Sequence, residues 1–179
     1  MCSLAYPRFI ANPEVAMLPE LSPLGWFHTL GSLLALPIGL MLLFRHGRID
    51  PSGGWGRLYL LFMFVGAVTG VLVIRDAPGV LISVLSLGSL AVGATVRFAS
   101  FLGGHRRWIE TVAMSTSFFT LILPSLTETL TRLPVGAPIA ASPQAPLMVS
   151  IQLALLMGLV VGVTLQLLAL RRVRPVAVA

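Results

Sequence analysis

Residues Leu147–Leu170, LMVSIQLALLMGLVVGVTLQLLAL, carry no charged side chain, and Arg171-Arg172-Val173-Arg174 follows at once. A helix needs about 20 predominantly apolar residues to cross a hydrocarbon core of roughly 30 Å, so this stretch is long enough to span a bilayer and to stop at its surface. Working outward from it, four more runs meet or approach the same length: Trp26–Phe44, Leu58–Ile74, Gly79–Leu102 and Thr111–Leu133. The sequence therefore predicts an all-α, polytopic transmembrane bundle of five spans. It divides into an external or interfacial segment over 1–25, a membrane domain over 26–171 and a short tail over 172–179.

Composition excludes a soluble domain. Hydrophobic residues form 56% of the 179-residue chain and charged residues 10%, with a mean hydropathy of +0.95. That leaves too little polar surface to cover a globule in water. The net charge of +6 comes from twelve arginines and no lysine. They fall between apolar runs rather than on one basic face, which argues for topology signals and against a nucleic-acid partner.

Assigning loops alternately to the two sides groups Arg45, Arg48, Arg57, Arg97, Arg106, Arg107, Arg171, Arg172 and Arg174 together and leaves Arg8, Arg75 and Arg132 opposite. Basic residues near span ends stay in the cytoplasm, so this split predicts an outside N-terminus and a cytoplasmic C-terminus. The all-arginine usage suggests a GC-rich bacterial genome, hence a multi-pass protein of a bacterial plasma membrane.

Local signals add detail. Pro7, Pro13, Pro19 and Pro23 predict an extended or short-helical segment at the outer surface, Pro37 a kink in the first span, and Asp76 a cap on the third helix. Arg97 lies inside the third run, so it either snorkels to the surface or faces protein. Gly66…Gly70 and Gly158…Gly162 have the spacing that lets helix backbones approach closely, and are read as internal packing rather than a dimer face. The single Cys2 excludes an internal disulfide and lacks the preceding apolar signal that a lipoprotein cysteine requires.

Few groups suggest chemistry. No phosphate-binding glycine loop, nucleophile elbow, HExxH, cysteine pair or carboxylate dyad is present. His46 and His105 belong to loops on the same side and are the candidate ligands of a b-type haem, whereas His28 sits at the opposite end with no partner at its depth. Glu110, beside Arg106 and Arg107, reads as a carboxylate in the first turn of the fourth helix, favoured by the helix dipole. Glu128 and Arg132 have the spacing of a same-face ion pair. The alternative makes Glu128 a proton or cation site in a groove where Pro124 interrupts the helix. Trp26, Trp55, Trp108 and Tyr59 flank apolar runs as an interfacial belt.

Two stretches carry a resemblance. His28-Thr29-Leu30-Gly31 leads through Ala35-Leu36 to Gly39 and then to Gly56-Arg57-Leu58-Tyr59, and His105-Arg106-Arg107-Trp108 precedes the fourth span. In order and spacing this resembles the bacterial membrane-protein family known as domain of unknown function 2306. Where that family tends to have a histidine before its G-R motif, this chain has Ser52-Gly53-Gly54. The resemblance implies a multi-span membrane protein, supplies no established activity, and nominates His28, Arg57, Tyr59, His105, Arg106, Arg107 and Trp108 as positions with a shared role. The expected function is a structural or interaction component of the bacterial membrane, without a cofactor, whose partners are the lipid bilayer and further copies of itself or other membrane proteins. The alternatives are a haem b redox protein and a small proton-coupled transporter using Glu128.

Overall fold

A computed structural model describes residues 22–74, 76–134 and 137–172. The expectations for the prolines and Cys2 within 1–21, for Arg75 and for the tail beyond Arg172 lie outside the described residues. Five α-helices follow in chain order: α1 Pro23–His46, α2 Gly54–Val73, α3 Ala77–Thr95, α4 Arg106–Arg132 and α5 Pro146–Arg172, with two 3₁₀ turns, Val96–Phe98 and Ser100–His105, between α3 and α4. No strand occurs among the described residues. All five helices are long and apolar enough to cross a membrane.

The helix starts follow from their sequences. Ser22 caps α1 by accepting from the Gly25 amide at 3.1 Å, with Pro23 in the first turn where its missing N–H costs nothing. Asp76 caps α3 through the Gly79 amide at 2.9 Å, as its position predicts. Helix α1 ends at Gly47, whose φ of 68° is the left-handed conformation glycine adopts freely and whose amide returns to the Leu43 carbonyl at 2.9 Å.

Three expectations are corrected. The third apolar run does not continue as one helix to Leu102. Helix α3 ends at Thr95, and the chain breaks through two 3₁₀ turns to Gly103, at φ 51° and ψ −128°. Apolar composition persists through Val96, Phe98 and Phe101 while the backbone turns, so hydropathy alone overran the end. Pro124 does not interrupt the fourth helix, since α4 runs through it to Arg132. Because α4 opens at Arg106, Glu110 also lies beyond the first turn rather than in it.

Helix α4 is central. It packs against α3, α5 and α1, while α2 joins α1 to α3. Half of its apolar window is buried within the protein, against none of α5's. The core combines Ala35 and Leu42 of α1, Tyr59 and Met63 of α2, Leu90 of α3, and Met114, Phe118 and Leu121 of α4, with Ile49 from the loop. Thr111, Ser115, Ser117 and Thr120 of α4 also face inward. Most hydroxyls of α4 bond carbonyls of their own helix, for example Thr111 to Arg107 at 2.8 Å and Ser125 to Leu121 at 2.7 Å, which satisfies them without water.

Other large apolar side chains lie on the outside. Phe27, Leu33, Phe64, Leu81, Leu153, Met157 and Leu165 are all exposed. An exterior this apolar suits lipid as solvent. Small residues set the closest approaches. A Cβ at Gly39 would lie 2.6 Å from the Phe118 ring, and one at Gly66 would lie 2.6 Å from Ser32 Oγ. Gly66 and Gly70 thus pack within the chain as expected. The same expectation fails for Gly158 and Gly162, where an added Cβ would meet nothing within 4 Å, so this pair packs against no helix among the described residues.

Candidate functional site

The ends of α1, α3 and α4 meet around a charged cavity of about 400 Å³. Its first wall is the seven-residue loop between α1 and α2. Ile49, 1% exposed, anchors that loop in the core. Asp50 then accepts from the Ser52 amide at 2.9 Å and from the Ser52 hydroxyl, the local pattern by which an Asx turn closes. Arg48 Nη2 donates to Asp50 Oδ2 at 2.9 Å, and Arg48 Nη1 lies 3.5 Å from Glu110 Oε1. One guanidinium therefore faces both carboxylates.

The second wall is made by the two 3₁₀ turns and the start of α4. Arg106 staples it, donating from Nε to the Gly103 carbonyl at 2.9 Å and from Nη1 to the Arg97 carbonyl at 3.1 Å. Arg97 lies over the Phe98 ring with 4.7 Å between guanidinium carbon and centroid. Arg97 also lines the cavity. Arg107 completes the wall. Four arginines thus surround two acids, and among the described residues neither Arg97 nor Arg107 has an ion-pair partner.

Asp50 lies in the loop outside the spans. Burial pushes its carboxyl up, but the hydroxyl and amide of Ser52 and the charges of Arg48 and Arg107 outweigh burial and hold it below its ordinary value of 3.8. A carboxylate depressed in the folded state stabilises fully above its unfolded pKa and loses that contribution as pH falls through the folded value. The cavity loop is therefore expected to be intact at neutral pH and to loosen on acidification below about 4. Limited proteolysis of the loop at pH 3 to 7 checks this, and the acid-induced cleavage should vanish as a transition in Asp50→Asn, which is already loosened at neutral pH.

Gln166 ties α5 to this end of the bundle. Its carbonyl oxygen accepts from Ser115 Oγ at 2.7 Å, and its amide donates to the Gly47 carbonyl at 2.9 Å. Arg171 lies over the Trp108 ring at 4.9 Å, a cation–π contact between the last turn of α5 and the first of α4.

The nominated motif positions are divided among different places. Arg106 and Arg107 line the cavity and Trp108 holds α5, while Tyr59, expected in the interfacial belt, is instead fully buried in the core with its hydroxyl 3.0 Å from Ser117 Oγ. Arg57 is exposed. His28 is part-buried at the far end of α1, where Nδ1 lies 2.9 Å from the Gly66 carbonyl and so carries the proton, with Thr69 Oγ1 at 3.4 Å. The haem candidates His46 and His105 are both exposed and neither lines the cavity. Glu128 and Arg132 form the expected (i, i+4) ion pair, both more than half exposed.

Sequence reading passed over Arg48, Asp50 and Ser52 as site residues and treated Arg97 and Glu110 singly. The signal for the loop was present in Arg48-Ile49-Asp50-Pro51-Ser52, where an acid two residues before a hydroxyl forms a turn and a basic residue precedes it. No signal joined Arg48 to Glu110, because only folding brings them together. No family model, curated protein or solved structure matches the chain.

Proposed function

We propose that this chain is a multi-pass protein of a bacterial plasma membrane that acts as an interaction component by holding an anionic group in the cavity between the Arg48–Ser52 loop and the 3₁₀ turns. The observation that carries the reading is the charge imbalance there: four arginines line about 400 Å³ with two carboxylates to offset them. Arginines gathered without matching acids repel one another, and an anion relieves that repulsion while taking up their free donors.

The arginine distribution supports a cytoplasmic position for this end, with the N-terminus outside and the C-terminus inside. The resemblance to domain of unknown function 2306 supports the same multi-span architecture, and two of its motif positions, Arg106 and Arg107, fall in the cavity. No metal or haem enters this reading.

Purified full-length protein in neutral detergent, titrated with sulfate at constant ionic strength, should melt at a rising temperature, as expected when a ligand binds the folded state alone. The Arg97→Gln/Arg107→Gln variant should weaken sulfate binding by roughly tenfold or more, the scale of lost charge-assisted hydrogen bonds. An identical sulfate response in protein and variant would remove the cavity as the binding site.

A further inference from the structure

We propose that the group held in the cavity is a phosphomonoester, a phosphate dianion on a small substituent, presented by a phospholipid headgroup or by a free phosphate compound. This rests on the anion-binding reading above and gives it a ligand class.

Charge comes first. With Arg48 facing both Asp50 and Glu110, the cavity keeps a surplus of two positive charges. A phosphomonoester carries about −1.5 to −2 at pH 7, close to that surplus, whereas a carboxylate or a phosphodiester supplies about one. Geometry comes second. Arg48 lines the cavity from the α1–α2 loop with the N–H groups that Asp50 and Glu110 leave free, Arg97 from the first 3₁₀ turn and Arg107 from the start of α4, so donors line it from three elements. A tetrahedral group with three free oxygens can meet donors from three directions, and planar guanidinium forks suit it bidentately. A carboxylate has two oxygens in one plane and leaves one wall unanswered.

Size and surroundings come third. About 400 Å³ is near the lower end of the usual range for ligand sites, roughly 300–1,000 Å³, which leaves room beside the phosphate for a glycerol-sized substituent. Phe98 and Phe101, on the two 3₁₀ turns beside the cavity, are 72% and 87% exposed. Apolar rings displayed at the end of a membrane bundle favour contact with acyl chains over water. That placement lets a lipid enter with its tails against the rings and its phosphate among the arginines.

The test measures binding to full-length protein in neutral detergent of four probes: inorganic phosphate, glycerol 3-phosphate, short-chain phosphatidic acid and short-chain phosphatidylglycerol, with acetate as the carboxylate comparison. The expected result is that the phosphomonoester probes bind at least tenfold more tightly than phosphatidylglycerol and acetate. Phosphatidic acid exceeding glycerol 3-phosphate assigns the source to lipid, and equal affinity assigns it to a soluble phosphate compound. Arg107→Gln, at an exposed position that leaves packing intact, should lower phosphomonoester affinity roughly tenfold, while Arg57→Gln, outside the cavity, should not change it. Equal binding of acetate or phosphatidylglycerol would overturn the phosphomonoester assignment and leave the anion site standing. No binding by any probe, sulfate included, would overturn both.

Discussion

Gly56→Ala is expected to destabilise the protein by about 3 kcal/mol, the upper end of the usual overpacking range, and to abolish anion binding with it. A Cβ at Gly56 would drive into the carbonyl of Asp50 and lie 3.0 Å from the Pro51 Cα. All of these neighbours are backbone, so no side chain can swing aside to relieve the clash. The loop must lift from the first turn of α2, and Arg48 and Asp50 move with it. Reversible unfolding in mixed detergent reads the stability loss, and sulfate titration reads the site. A fully stable Gly56→Ala protein that binds sulfate normally would contradict the placement of this loop.

Tyr59→Ala should cost about 3–5 kcal/mol, as large aromatic truncations in packed cores do. Its ring is fully buried between α1 and α4, beside Gly39 and within hydrogen-bond reach of Ser117. Tyr59→Phe separates the two contributions. It keeps the ring and removes one hydrogen bond, while Ser117 Oγ still donates to the Met114 carbonyl at 2.8 Å, so the loss should be about 1 kcal/mol. Unfolding curves for the pair check the ratio. Equal losses in both variants would mean that the hydroxyl, not the ring, holds these helices together.

Both effects concern contacts between residues distant in sequence, which is where the sequence was hardest to read. Each span was legible because about twenty apolar residues in a row have no stable place in water. The cap at Asp76 was legible because the acid and the proline that follows act within one turn. The end of α3 was not, since Val96, Phe98 and Phe101 keep the apolar character of the helix. The backbone reverses there under Gly103 and the two bonds from Arg106. Of the charged cavity, Arg106 and Arg107 were singled out by motif. The partnership of Arg48 with Glu110 was not, because it joins groups sixty-two positions apart that share no local pattern. Arginine grouping put these residues on one expected side, but which of them line one cavity came only from the fold.

Because α5 leans on α4 along one side and leaves Gly158 and Gly162 bare, its membership in the bundle depends on a few fasteners at its two ends, buried Met148 in its first turn and Gln166 and Arg171 toward its last. Much of its length has no helix on the outward side. Exchanges among leucine, valine and methionine across that outer surface should therefore change stability little, while replacing the glutamine that stitches this late-emerging helix to the end of the first should loosen it.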